Sequence, residues 1–150
     1  MDWINAFQIE KHLEDAFKTQ IAEALPNCTV FRGSDTDELV TPRVIIIAGR
    51  CSADETANQT ENGLEYLKFE CSIEIALITD TSQGETRDAH HEKLGTIRDA
   101  FRMQNPTNFR TLLPNHEILD IRMTSTAREQ QGDHHITMID YLAKVAVMLT

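Results

Sequence analysis

Basic charge is scarce in this sequence. Its 150 residues carry 14 Lys and Arg against 24 Asp and Glu, a formal net charge of −10. A general nucleic-acid binder takes most of its affinity from Lys and Arg on phosphates, and an anionic membrane surface calls for the same excess. The balance therefore speaks against both partners. It favours solubility, or a wall from which DNA is repelled. Cysteine is also sparse. Cys28, Cys51 and Cys71 are an odd number at wide spacing, with no CxxC, so neither a zinc ribbon nor a redox motif is visible. Reduced, mostly buried thiols are expected. No run approaches the ~18 apolar residues of a membrane span. The opening stretch MDWINAFQIEK has no basic segment followed by an apolar one, so a secretory signal is not expected.

The motifs of several enzyme classes are missing as well. There is no GxSxG, no GxxxxGK[ST] and no GxGxxG, and Ser34, Ser52, Ser72, Ser82 and Ser125 have no recognisable catalytic partner motif. What remains is a globular composition, 41% hydrophobic and 25% charged. A chain of this length fits one domain and can bury roughly 70% of its unfolded surface.

The periodicity places the elements. Ile4, Phe7, Leu13, Phe17, Ile21, Ala24 and Leu25 fall near one face at 3-4 spacing, which predicts an amphipathic helix over 4–25. Asp2 suits its N-cap and Pro26 stops it. Cys28 to Phe31 reads as a short strand. RVIIIAGR, 43–50, is β-branched with an arginine at each end and suits a strand buried on both faces or at a subunit contact. Residues 51–63 hold almost no large apolar side chain and read as a long exposed loop. In LEYLKFECSIEIALIT, Leu67, Phe69, Cys71, Ile73, Ile75 and Leu77 alternate with Lys68, Glu70, Ser72 and Glu74, the pattern of a half-buried strand. A second helix is expected at roughly 86–103, striped by Ala89, Leu94, Ile97, Ala100 and Phe101. Strands follow at 116–127, carried by Ile118, Leu119, Ile121 and Met123, and at 134–148, the two joined as a hairpin near Gly132. The order is α-β-β-β-α-β-β. The fold class is α+β: one domain over 1–150, a mainly antiparallel sheet with two helices packed on one face.

Two stretches invite a chemical reading. DAHHEK and GDHHIT hold four of the six histidines. Adjacent residues chelate poorly on regular elements. On a helix His90 and His91 point about 100° apart, and on a strand His134 and His135 face opposite sides. Helical metal pairs need a spacing of three or four, as in HExxH. His90 shares a face with Leu94, which leans it toward the core edge. A composite zinc site would need tertiary structure to unite the regions. The acidic cluster Asp35, Asp37 and Glu38 lacks the Gly and terminal Glu of a calcium loop, so a solvated loop is expected. Cys71 belongs to the inward row of the long strand and Cys51 opens the polar stretch, where a thiol is most reactive. Trp3 suits either a partner anchor or a core cap. No catalytic residue, metal ligand or cofactor site is assigned.

The element order, and above all ALITDTSQGETRDAHHEKLGTIRDAF, a strand ending in a polar turn and then a helix through LGTIRDAF, resembles the tail-terminator or tail-completion proteins of tailed bacteriophages and their relatives at the head–tail neck. The resemblance runs over essentially the whole chain. It implies a structural virion protein without enzymatic activity, forming a homo-oligomeric ring, commonly a hexamer. Such a ring sits on the last ring of the tail tube protein and docks the head–tail connector or neck. Genomic DNA passes through its hole without specific binding. The implied location is the virion tail or neck, assembled in the bacterial host cytoplasm. On this view Lys68, Glu70 and Glu74 are candidates for a ring or lumen surface. Arg43 and Arg50 are candidates for pairing with such acids across a subunit boundary, and the 51–63 stretch for contact with the tube or a neighbour. At such a boundary the histidines would tune assembly below about pH 6.5. Two other classes stay open: a non-viral oligomeric scaffold or binding domain, and a small metal-dependent enzyme using the histidine pairs.

Overall fold

The computed structural model describes residues 6–33, 40–53, 59–61, 64–101 and 116–149. Helix α1 spans Ala6–Ala24 and is followed by strands β1 (Thr29–Arg32), β2 (Arg43–Ala53), β3 (Gln59–Glu61) and β4 (Leu64–Asp80). A 3-10 turn at Thr81–Gln83 leads into helix α2 (Arg87–Ala100), and β5 (His116–Gln131) and β6 (His134–Leu149) close the order. The sheet runs β1-β2-β4-β6-β5, with β3 paired to β4 off that path. Only the β1–β2 pairing is parallel among the described strands. This is the α+β class expected from the sequence, in the expected order, with β3 added.

The helices form because their apolar stripes have something to cover. Ile9, Leu13, Ala16, Phe17 and Ile21 of α1 are buried, and Leu25 closes the helix by donating its N–H to the Ile21 carbonyl at 2.8 Å. The proposed cap Asp2 and Trp3 lie outside the described residues, as do Asp35, Asp37 and Glu38. Helix α2 starts at Thr86, whose Oγ1 accepts from the Ala89 N–H at 3.1 Å and satisfies one of the free donors of the first turn. It buries His90, Ile97 and Ala100.

The inward rows of β4 and β6 make the floor of the core. Cys71 lies opposite Ala143, Ile73 opposite Tyr141, Ile75 opposite Ile139 and Leu77 opposite Thr137, all buried. Helices and sheet meet at three rings. Phe17 of α1 lies 4.5 Å from Phe101, and Phe101 lies 5.4 Å from Tyr141, centroid to centroid. Gln20 bridges the helices by donating from Nε2 to the Ala100 carbonyl at 3.0 Å, so one of the orphan carbonyls at the end of α2 is satisfied inside the protein.

Three local expectations change. Part of the 51–63 stretch, expected to be loop, is strand: β2 continues to Ala53 and β3 takes Gln59–Glu61. The cause is β4, long enough to template both. A bulge after Ala48 shifts the phase of β2 by one residue, so Cys51 lies half-buried against the core, opposite Cys71. The Cys71 thiol is pushed well above its ordinary pKa, first by its hydrogen bond with Cys51 and then by burial. Strand β5 extends to Gln131, past the expected 127, and turns at Gly132, whose φ of 59° lies in the left-handed region that favours glycine. Finally, Leu119 and Met123 were expected to help carry β5, but both are exposed. The bulge between Ile118 and Asp120 leaves Leu119 out of the inward row, while Met123 stays in phase opposite Tyr141 but lacks cover, so only Ile118 and Ile121 of that set reach the core.

Candidate assembly faces and the histidine cluster

The histidine pairs divide according to their elements. His91 is exposed on α2, while His90, one position earlier, is only 2% exposed. The His90 ring fills the gap between α2 and the sheet. Its Nδ1 lies 2.8 Å from Thr79 Oγ1 on β4, and its Nε2 lies 2.8 Å from Thr137 Oγ1 on β6. A neutral imidazole donates from one nitrogen and accepts at the other, and a threonine hydroxyl can do either, so both ring atoms are satisfied. Burial, reinforced by the charges of His135, His91, Arg128 and Lys93, pushes the His90 pKa down to about 4. His90 is therefore a neutral clamp joining α2 to two strands. The lean toward the core expected from the face it shares with Leu94 goes as far as full burial.

On β6 the two histidines do face opposite sides. His135 lies on the helix side, its ring centroid 5.8 Å from that of His90. His134 lies on the other side, 3.5 Å from Asp80. The Ser82 hydroxyl and N–H, with His134 behind them, hold the Asp80 carboxyl below the usual range. The fold thus unites the two pairs, which their spacing gave no reason to expect. Yet no group of three or more His, Cys, Asp or Glu among the described residues is placed to hold a metal ion. His90 has both nitrogens occupied by threonines.

Beside the clamp the helix side opens into two adjoining hollows of about 320 and 370 Å³, which share Arg128 and Thr137. Arg87, Arg98 and Arg128 line them, with Glu129 as the one carboxylate among the described lining residues. Met123, 50% exposed, sits here because it lies opposite Tyr141 on β6 but beyond the cover of α2. Tyr141 is buried beneath, and its hydroxyl has no hydrogen-bond partner among the described residues. Burial pushes its pKa up to about 12.

The opposite face of the sheet carries the outward rows. Lys68, Glu70 and Glu74 stand there on β4, opposite Ala146, Lys144 and Asp140 of β6. Arg43 opens β2 opposite Ile78, and its Nη1 donates to the Val40 carbonyl at 3.4 Å. Arg50 is exposed at the β2 bulge, its backbone N–H donating to Ser72 Oγ at 3.1 Å. All five sequence-derived candidates therefore lie on β2 and β4. A hollow of about 320 Å³ opens on this face, with Glu74 and Asp140 as its charged lining residues and Ile47, 45% exposed, at its edge. Like charges directly across a strand pair are destabilising. Asp140 is held in place by the Ser125 hydroxyl, which donates to Oδ2 at 2.6 Å.

Sequence reasoning missed Thr79, Thr137 and the basic groove. A signal existed for the threonines: each continues an inward apolar row, where a polar residue needs a buried partner. The arginines come from two separate elements, and nothing in their spacing announces that they converge.

No protein-family model matches the sequence, and no curated protein matches it at significance. The fold has counterparts among solved structures. It is similar to a chain from the virion of a native gene transfer agent particle, with a TM-score of 0.52 over 91% of this chain and 95% of that chain, at 14% sequence identity. The likeness is one of whole domains. No helix among the described residues is long and apolar enough to cross a membrane.

Proposed function

We propose that this chain is a structural virion protein, a ring-forming tail terminator that caps the tail tube and joins the tail to the head or neck. The observation that carries the reading is the fold likeness to a virion chain, because it spans nearly all of both chains. The element order points the same way. A net charge of −10 per chain fits a ring whose wall repels the phosphate backbone and lets DNA slide through. The protein acts through its surfaces and works without a cofactor. Its partners are copies of itself, in a hexamer, the tail tube protein and the head–tail connector. Its place is the tail or neck of the particle, after assembly in the host cytoplasm. Lys68, Glu70 and Glu74 supply a subunit or lumen surface, with Arg43 and Arg50 pairing to acids of a neighbouring copy.

Native mass spectrometry with negative-stain imaging tests the reading. The expected result is an annular oligomer with an axial hole that caps one end of purified tail tubes. A monomer at every concentration, with no affinity for tubes, would overturn it. Arg50→Glu is expected to weaken the ring, and an unchanged oligomer would remove Arg50 from the interface.

A further inference from the structure

The molecule has two hollows of opposite charge on opposite faces of one sheet. On the helix side, between α2 and the β5–β6 hairpin, Arg87, Arg98 and Arg128 line two adjoining hollows, one of which holds the exposed Met123 with Arg98 and Arg128. On the helix-free side Glu74 and Asp140 lie beside the exposed Ile47. We propose that these are the two halves of one interface: the basic groove of one copy docks on the acidic hollow of a second copy of this chain. The proposal rests on the ring-forming reading and names the contact that builds the ring.

Charge complementarity selects the occupant. In a chain of net charge −10, three arginines and one carboxylate among the described lining residues are a local reversal of sign, even with Asp99 3.6 Å from Arg98. The acidic hollow is its counterpart. Glu74 and Asp140 face each other across β4 and β6 with no base among the described residues lining that hollow, so the pair repels itself within one copy. The next outward charged pair along the same strands, Glu70 opposite Lys144, is of opposite sign and balances itself. A guanidinium from a neighbour would relieve the first pair and add little at the second. Each side also offers one exposed large apolar side chain among its described lining residues, Met123 or Ile47. An apolar centre within complementary charge is the usual anatomy of a specific contact.

Geometry then sets the kind of assembly. A twofold contact places the same patch against itself, which here would set arginine against arginine or carboxylate against carboxylate. Two different patches on opposite faces make a head-to-tail contact, and such contacts close into rings when the rotation between neighbours allows.

A charge swap tests this. Arg128 and Glu74 are both exposed, so Arg128→Glu and Glu74→Arg are expected to fold as the parent does, with unchanged circular dichroism and melting. Each single reversal is expected to weaken association on the order of tenfold or more, by native mass spectrometry and sedimentation. The chain carrying both reversals restores the pairing in the opposite sense and is expected to recover the parent oligomer. An equimolar mixture of the single variants is expected to do the same, with the two alternating. If the parent forms rings but neither the double variant nor the mixture recovers them, the proposed contact is wrong and the ring reading survives. If the parent is itself a monomer or a twofold dimer, the ring reading fails and this contact fails with it.

Discussion

His90 Nε2 lies 2.8 Å from Thr137 Oγ1, a contact between residues 47 positions apart in the chain. With Thr79 on the other nitrogen, it fastens α2 to the two central strands of the sheet. The floor of the basic groove is built on this clamp, since Thr137 and His90 both line it.

Replacing the clamp should therefore be expensive. His90→Ala leaves a cavity and strands two buried hydroxyls, and the expected loss is about 2–4 kcal/mol in urea unfolding. Thr137→Val removes one hydroxyl and leaves one ring nitrogen unpaired, for about 1–3 kcal/mol. Losses below half a kcal/mol for both would show that the clamp carries no stability.

The same histidine gives stability a pH dependence of definite sign. Its folded pKa, about 4, lies below its ordinary value of 6.5, so the unfolded chain binds the extra proton between those limits. Stability is full above about pH 6.5, falls as pH drops toward 4, and loses no more from this group below that. Carboxylates contribute their own slope, so the comparison is with His90→Gln. The drop in urea midpoint between pH 7.5 and 5 is expected to be smaller in that variant. An equal drop would mean that His90 titrates normally.

Tyr141→Phe is expected to be neutral or slightly stabilising, within about 1 kcal/mol, because the hydroxyl it removes is buried without a partner among the described residues. The ring, which packs on Phe101 and Phe17, is retained. Thermal melts of the two proteins decide it. A loss of several kcal/mol would mean that the hydroxyl is bonded in solution.

Thr86→Ala removes the α2 N-cap and is expected to cost about 1 kcal/mol. Because α2 carries Arg87 and Arg98 into the groove, the same change is expected to raise hydrogen exchange in the first turn of the helix. Unaltered exchange there would mean that the cap does not hold it.

The parts of this protein readable from its residues are those governed by local periodicity. Leu67 to Leu77 alternate because a strand with one buried face must, and β4 follows. The stripe from Leu13 to Ile21 gives α1, and the Gly132 turn gives the β5–β6 hairpin, for the same reason. Those signals act over a few residues, so they place elements and faces, and with them Glu70, Glu74 and Lys68 on the outward row of β4. They do not say which faces meet. That His90 is a buried clamp while His91 stays in solvent depends on Thr79 and Thr137, brought to it by strands that start far apart in the chain. The convergence of Arg98 and Arg128 beside Met123, and the placing of Glu74 opposite Asp140, depend in turn on the β4–β6–β5 order and on the bulges that set its register. Pairing across the sheet is a long-range choice, made by the burial of the whole core, and the charged faces follow from it.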